Sequence, residues 1–171
     1  MSTSSTTARG PRIRREAGRH YDDFEVGAIY EHTPGRTVSE ADNTWFTLLT
    51  MNQHPLHFDH VFAAGTEFGR PIVNSCLTLS ILTGMSVADV SQKAIANLGW
   101  TDIRMPAPVF HGDTLTAESE VLDKRLSSSR PGQGVVTVET RGFRQDGTLV
   151  MSFRRSVLVA CRPADATGET A

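Results

Sequence analysis

The chain has 171 residues, enough for one domain with a real hydrophobic core. With 39% hydrophobic residues, 21% charged residues and a net charge of -2, it does not resemble a dedicated nucleic-acid-binding protein, because such proteins are usually basic. No run approaches the roughly 18–20 apolar residues that a membrane span needs. The N-terminal charges precede no apolar core, so we expect neither a membrane anchor nor a secretory signal.

Both ends of the chain lack apolar periodicity. Residues 1–19 are rich in Ser, Thr, Arg and Gly, and we expect a disordered N-terminal leader there. A similar disordered tail is expected over residues 163–171. Residues 20–162 contain no repeat and no linker, so they are expected to form a single domain.

The two cysteines, Cys76 and Cys161, are far apart in sequence and have no metal-ligand spacing. One disulfide between them is an open alternative, but two widely separated cysteines fit two buried thiols in a cytoplasmic protein better. We therefore expect a cytoplasmic protein without a disulfide.

The N-terminal part predicts a strand followed by a short helix. Residues 28–33 alternate between apolar and polar types as a strand does. Ser39, followed three residues later by Asp42, resembles a capping box at the start of a helix. Pro55 disfavours helical geometry at the residue before it, so the helix is expected to stop near His54.

A second short helix is expected over residues 61–68, before a longer, central one. From residue 72 onwards the chain is apolar nearly all round a helix, and its other positions are mostly small or weakly polar. This pattern is typical of a helix that other elements enclose. The central helix is predicted over residues 74–90.

After the central helix the apolar pattern has a period of two. It predicts four strands, over residues 96–104, 115–125, 135–145 and 148–161. Asp146-Gly147 is a strong hairpin signal between the last two strands. The inward-facing residues of the second of these strands are predicted to be Leu115, Ala117, Val121 and Leu122. Antiparallel strands around one apolar helix cover the helix and give the sheet a dry face, so we predict an α+β fold of this kind.

The segment from Asn52 to Asp59 gathers two imidazoles, an amide and a carboxylate where a helix breaks into a loop. His57 can take up or release a proton near neutral pH, whereas Asn52 can only orient water or a substrate. Asp59 could orient the ring of His54 or of His57. A purely structural role for the histidines stays open, and a zinc site is disfavoured because Pro55 interrupts any regular helical spacing.

Asn74 and Ser75 begin the central helix, where the first backbone N–H groups have no partner within the helix. Together with the helix dipole, these N–H groups can bind an oxyanion or polarise a carbonyl. Asn74 or Ser75 could instead act only as the N-cap, and both roles can hold at once.

Three motifs, in order, resemble the MaoC-like dehydratases, the family of the (R)-specific enoyl-CoA hydratases. Residues 51–59 are similar to the family's hydratase motif, 68–73 to its Phe-x-Arg-Pro-Ile-Val stretch, and 108–115 to its Pro-Val-Phe-x-Gly-Asp-x-Leu stretch. The resemblance covers about residues 21–161 and implies a single hot-dog domain, an antiparallel sheet wrapped around one long central helix.

The resemblance implies a hydratase or dehydratase that adds or removes water across the double bond of an enoyl-CoA thioester. By position, His57 is then the acid/base, and the backbone N–H of Ser75 polarises the thioester carbonyl. Asn52 stands where the family's hydratases carry Asp; either it orients the water or the substitution alters or removes activity. No metal and no other cofactor is implied, because coenzyme A is part of the substrate.

Asn52, His54 and the Asn74-Ser75 pair are also similar to a branch of the family that handles branched dicarboxylic thioesters, such as mesaconyl-CoA, itaconyl-CoA or β-methylmalyl-CoA. The second carboxylate of such a substrate needs a cation or a donor, and Arg70, Arg104 and His54 are the candidates. The expected substrate-binding residues are His54, Asp59, Arg70, Asn74 and Arg104.

The resemblance further implies a homodimer or a higher homo-oligomer, because hot-dog domains normally dimerise through their sheets. No nucleic-acid or membrane partner is expected. Two other functions stay open at this point: a hot-dog thioesterase and a non-catalytic subunit that binds acyl thioesters. The acyl carrier could also be a protein-bound pantetheine rather than CoA.

Overall fold

The computed structural model describes residues 17–163, and five strands and three α-helices form most of this part. The strands are β1 Ile29–Thr37, β2 Ala94–Arg104, β3 Thr114–Leu126, β4 Gln133–Arg144 and β5 Leu149–Ala160. The helices are α1 Glu40–Leu49, α2 His60–Ala64 and α3 Ser75–Met85. In this described part, no helix has the length and apolar character needed to cross a membrane.

All strand pairs are antiparallel, and the sheet order is β1-β3-β4-β5-β2. α3 packs on one face of this sheet. The shared core contains Leu77, Ile81 and Leu82 from α3 and Leu115, Met151 and Phe153 from the strands. A Cβ atom at Gly142 would overlap the Leu82 side chain, so the glycine lets helix and sheet approach closely. This confirms the predicted antiparallel sheet around a central helix.

α1 begins at the predicted capping box. The Ser39 side chain accepts a hydrogen bond from the Asp42 N–H, and the Asp42 carboxylate accepts one from the Ser39 N–H. α1 ends at Leu49, several residues before the predicted stop near His54, and α2 is shorter than the predicted 61–68. The short connection between them, which contains a 3₁₀ turn at Pro55–His57, carries most of the polar segment.

The central helix is shorter than the predicted 74–90. α3 ends at Met85, and Val87–Ser91 forms a wider π-helical turn. Ser86, between them, donates a hydrogen bond to the Thr83 carbonyl and accepts one from Arg155. The apolar pattern continues through the π-helical turn to the buried Val90, so periodicity alone overestimates the length of the regular helix.

α3 is not enclosed on every side. Cys76, Ser80 and Gly84 are exposed, while the residues beside them face the sheet. The expectation of two buried thiols is therefore wrong for Cys76, because it lies on the outer face of the first turn. Cys161 is half-buried, and both thiols are unpaired.

The inner face of β3 differs from the prediction at one position. Leu115, Ala117 and Val121 are buried as expected, but the pairing register with β4 shifts between Val121 and Asp123. Regular alternation already places position 122 on the opposite face of the strand from Leu115, Ala117 and Val121, so Leu122 is only half-buried.

The ordered part of the chain begins before residue 20. Most of the predicted leader, residues 1–16, lies outside the described residues, but Arg19 is placed. Its guanidinium lies 3.0 Å from the Asp89 carboxylate and 4.0 Å from the centre of the Tyr30 ring. Of the predicted tail, residues 164–171 also lie outside the described residues.

Candidate functional site

Three polar side chains of the 52–59 segment bond to the backbone of their own loop. The Asn52 Oδ1 accepts from the His54 N–H at 3.0 Å, and the His54 Nδ1 accepts from the Leu56 N–H at 3.2 Å. The Asp59 Oδ1 accepts from the N–H groups of Val61 and Phe62 in α2, each at 2.9 Å, which makes Asp59 its N-cap. In the described structure, Asp59 has no hydrogen bond to either imidazole of this segment.

His57 is held by a carbonyl group from the segment that leads into α3. Its Nδ1 lies 3.1 Å from the Ile72 carbonyl oxygen. A carbonyl can only accept, so Nδ1 carries the proton, and this partner assigns the tautomer of the neutral ring. The Nε2 atom then has a free lone pair. The half-buried His57 side chain is therefore arranged as a proton acceptor.

The amide of Asn43, on α1, joins the His57 loop to the start of α3. Asn43 is completely buried, and its Nδ2 donates to the carbonyl oxygens of His57 at 2.8 Å and Ile72 at 3.1 Å. Its Oδ1 accepts from the Asn74 N–H at 2.8 Å. These partners fix the amide orientation, because a carbonyl cannot donate and an N–H cannot accept. Sequence reasoning missed Asn43; the one available signal is a polar residue on the inward side of an amphipathic helix.

His111 completes the group around Asn43. Its Nε2 lies 3.0 Å from the Asn43 Nδ2. Burial lowers the pKa of His111, although the Glu40 carboxylate acts in the opposite direction. Sequence reasoning interprets His111 only as part of a turn, because nothing local indicates that it returns to α1.

The backbone at the start of α3 leaves the N–H group of Ser75 without a partner among the described residues. The Asn74 N–H is bonded to Asn43, and the Cys76 N–H is bonded to the Asn74 Oδ1 at 2.9 Å, so Asn74 is the N-cap. Between them, the Ser75 N–H has no acceptor within residues 17–163. At the positive end of the helix dipole, this N–H is available to an oxygen of a ligand.

A cavity of about 240 Å³ lies beside this N–H group. Its walls include Phe68, Ile72, Ser75, Thr78, Met105 and Met151, and they are mostly apolar. Ile72 belongs both to this wall and to the His57 contact. The structure thus brings His57, Asn74 and Ser75 together through Asn43 and Ile72.

The predicted cations lie outside the cavity wall. The exposed Arg70 stacks its guanidinium 3.9 Å from the centre of the Phe110 ring. Arg104 is exposed at the end of β2, directly before Met105, which lines the cavity. His54 is exposed, and its ring centre lies 6.1 Å from that of His57. Among the described residues, no charged side chain lines the cavity.

No cluster of three or more His, Cys, Asp or Glu side chains suited to a metal ion occurs between residues 17 and 163. His54 and His57 lie near each other, but the Asp59 carboxylate faces the N-terminus of α2.

Two curated proteins are similar in sequence to most of this chain. The chain is 35% identical over 150 residues to the mesaconyl-CoA hydratase of Cereibacter sphaeroides, covering 88% of this chain and 43% of that protein. It is 34% identical over 150 residues to the β-methylmalyl-CoA dehydratase of Chloroflexus aurantiacus, covering 87% of this chain and 42% of that protein. The chain therefore spans less than half the length of these curated relatives.

The crystal structure of a monoamine oxidase regulatory protein from Archaeoglobus fulgius is similar along its whole length. It superposes with a TM-score of 0.78 at 35% identity, covering 88% of this chain and 100% of that one. The predicted hot-dog domain is thereby confirmed. A family model described as mesaconyl-CoA hydratase matches residues 5–171. This chain belongs to the mesaconyl-CoA hydratase family, within the MaoC-like proteins that its sequence motifs resemble.

Proposed function

We propose that the protein is a hydratase or dehydratase that adds or removes water across the double bond of an enoyl-CoA thioester. The observation that carries this proposal is the His57 Nε2, which the Nδ1–H bond to Ile72 leaves free, in a loop that Ile72 and Asn43 join to the Ser75 turn. The His57 ring can move a proton, and the Ser75 N–H can stabilise a negative oxygen. The apolar cavity that Ser75 and Ile72 line suits an acyl chain, and His57 reaches its wall through the bond to Ile72.

In the hydration direction, the His57 Nε2 takes a proton from water while the water oxygen bonds to the β-carbon of the substrate. The electron pair of the C=C bond moves towards the thioester carbonyl, whose oxygen becomes negative. The Ser75 N–H and the α3 dipole stabilise that oxygen. His57 then returns the proton to the α-carbon. One O–H bond and the π component of the C=C bond break, one C–O and one C–H bond form, and dehydration is the reverse.

Asn52 is assigned to the water in this proposal. Its Oδ1 is occupied by the His54 N–H, whereas its Nδ2 has no hydrogen bond to any described residue. The Nδ2 can donate to the water oxygen, but an amide cannot accept the water's proton. His57 therefore acts as the base and then as the acid without help from a carboxylate at position 52.

We further propose a branched dicarboxylic substrate of the mesaconyl-CoA or β-methylmalyl-CoA type. The names of the two curated relatives support this choice. Because the cavity wall carries no charge, the second carboxylate would have to lie at its mouth, where Arg70 and Arg104 are the proposed partners. No metal or redox cofactor takes part in this proposal.

The working form is proposed to be a homodimer that forms along β2. This strand is an edge of the sheet, is exposed along most of its length and carries Ile95, Leu98 and Trp100 in exposed positions. The opposite edge, β1, is blunted by Pro34 and by charged residues, as edges that avoid pairing usually are. A homodimer would supply a second hot-dog domain, in keeping with relatives more than twice as long.

The test is turnover of crotonyl-, mesaconyl- and itaconyl-CoA by the purified protein, followed as loss of the conjugated enoyl absorbance. His57→Gln should lose about 10²–10⁴-fold in kcat, the usual contribution of a general acid/base. His60→Gln is the matched control, because His60 bonds only Glu40 at the exposed start of α2. A wild-type protein that hydrates none of these substrates overturns the proposal. Thiol release from saturated acyl-CoA would instead identify a thioesterase, and tight acyl-CoA binding without turnover a binding subunit.

A further inference from the structure

We infer that Asn43 is a positioning residue for the reaction: its single amide holds the proton-transfer group, His57, and the oxyanion-binding turn of α3 in register. This inference deepens the proposed function and rests on it for its kinetic part. It does not depend on contact between Asn43 and the substrate.

The two functional groups come from segments that are otherwise independent. His57 lies in the loop after α1, and Ser75 lies at the start of α3. Backbone pairing between the segments consists of the Ile72 N–H donating to the Leu56 carbonyl at 3.2 Å. The Asn43 side chain adds contacts to His57, Ile72 and Asn74, all in the completely buried space between the segments.

On the His57 side, the amide acts through a shared acceptor. The Ile72 carbonyl oxygen accepts from the His57 Nδ1 and from the Asn43 Nδ2, both at 3.1 Å. The same Nδ2 also holds the His57 carbonyl. One NH₂ group thus bonds the His57 carbonyl and also bonds the Ile72 carbonyl that holds the His57 ring. Together these contacts keep the free Nε2 in a fixed direction.

On the α3 side, the amide acts through its oxygen. The bond from the Asn74 N–H to the Asn43 Oδ1 and the bond from the Cys76 N–H to the Asn74 Oδ1 fix the peptides on both sides of Ser75. The free N–H of Ser75 is then held between two occupied donors. Because misplacement by about 1 Å can cost about 100-fold in rate, a shared buried anchor matters for chemistry as well as for folding.

An amide is needed at this position because its nitrogen donates hydrogen bonds and its oxygen accepts one. Asp at position 43 has nearly the same shape and can still accept from Asn74, but as a carboxylate it presents an oxygen to two carbonyls. Protonated Asp regains one O–H donor. Asn43→Asp therefore removes the His57 side of the anchor wherever the carboxyl is ionised, and His111, whose Nε2 lies 3.0 Å from the Asn43 Nδ2, favours that ionised form because it can protonate and pair with it.

The first test is ¹⁵N NMR of the histidine rings in the wild-type protein, with the His57 signals identified by their loss in His57→Gln. The expected result is an Nδ1–H tautomer for neutral His57, and a mixture of tautomers in Asn43→Asp and Asn43→Ser. Wild-type His57 in the Nε2–H form overturns the inference without the use of any Asn43 variant. This readout needs no substrate, so it stands even where the wild type proves inactive and the proposed function fails.

The second test is steady-state kinetics on whichever enoyl-CoA the wild type hydrates. Asn43→Asp is expected to lose about 10–100-fold in kcat with KM changed by less than about threefold. Thr140→Val is the stability-matched control, because it removes a buried hydroxyl that bonds Ser119 in the sheet, far along the chain from the site. Asn43 variants that keep both the His57 tautomer and the kcat of Thr140→Val contradict the inference.

Discussion

The Nε2 atom of His111 lies 3.0 Å from the amide nitrogen of Asn43. An amide nitrogen only donates, so the His111 Nε2 must be unprotonated for this contact to be favourable. The two hydrogens of the Asn43 Nδ2 are then shared among three acceptors, the His111 Nε2 and the carbonyl oxygens of His57 and Ile72. Burial, the largest influence, lowers the pKa of His111 below its ordinary value of 6.5; Glu40 raises it, and His60 and Arg70 lower it further. Protonation of one ring would therefore disturb the amide that joins His57 to α3.

The first prediction concerns the pH dependence of stability. The pKa of His111 is lower in the folded than in the unfolded state. The contribution of His111 to the free energy of unfolding is therefore fully present above about pH 6.5, and it is lost as the pH falls through the folded-state pKa. His111→Gln keeps an acceptor but does not titrate. Urea unfolding between pH 5 and 8 should show the wild type losing more stability than this variant on the acid side. Parallel curves for the two proteins would contradict the assignment.

A second prediction separates the structural role of Asn52 from its proposed chemical role. The Asn52 Oδ1 bonds the His54 N–H at a half-buried position, and a carboxylate can make the same bond. Asn52→Asp should therefore keep the wild-type stability, whereas Asn52→Ala should lose about 0.5–1.5 kcal/mol. Thermal and urea unfolding measure both. Equal stability of the two variants would show that the turn does not need the side chain.

The same two proteins separate chemistry from folding. If Asn52 orients the water, Asn52→Ala should lower kcat by more than its stability loss explains, while Asn52→Asp, which restores the family's carboxylate, should keep activity. Equal kcat in wild type, Asn52→Asp and Asn52→Ala would remove Asn52 from the mechanism.

The sheet could be predicted from local signals. The strands after α3 are found within two residues of their predicted bounds, because alternation and the Asp146-Gly147 turn are properties of consecutive residues. The end of α3 could not be predicted in this way. At that end the Ser86 hydroxyl accepts from Arg155, which comes from a strand 69 residues further along the chain and which no local pattern indicates.

The site was only partly predictable for the same reason. The sequence singles out His57 and Ser75, and the structure joins them through Ile72 and the α3 turn. Asn43 and His111 could not be predicted, because they contact each other across 68 residues of sequence. The capping by Asp59 did carry a local signal, since a carboxylate two or three residues before free N–H groups is a usual N-cap.

A third prediction concerns the buried guanidinium of Arg155. Its Nη2 donates to the Ser86 Oγ at 2.8 Å, while its Nε and Nη1 have no partner in the described structure. Burial lowers the pKa of Arg155 to about 10. Removing the Ser86 hydroxyl takes away the partner of a charged group, so Ser86→Ala should cost about 1–3 kcal/mol.

A double-mutant cycle with Arg155→Met isolates this contact. The apolar Met fills much of the same space without a charge, so Arg155→Met should be about as stable as the wild type or more stable. In that background Ser86→Ala should cost less, with a coupling energy of about 0.5–3 kcal/mol by urea unfolding. The bond from Ser86 to the Thr83 carbonyl is common to both backgrounds and cancels. An unchanged cost of Ser86→Ala would mean that Arg155 does not use this hydroxyl.

The last prediction concerns the β2 edge. Leu98 is 53% exposed on this strand, which is an edge of the sheet. Large apolar side chains on an unpaired edge favour association with another chain. Sedimentation velocity should give twice the monomer mass for the wild type. Leu98→Lys should shift the protein towards monomer, because it places a charge in the proposed interface.

Ile29→Lys is the matched control, because Ile29 is 52% exposed on β1, the opposite edge of the same sheet. It changes the same kind of side chain to the same charge, and the dimer should persist. A dimer that survives Leu98→Lys but dissociates in Ile29→Lys would place the interface on β1. A wild-type monomer at all concentrations would contradict the homodimer.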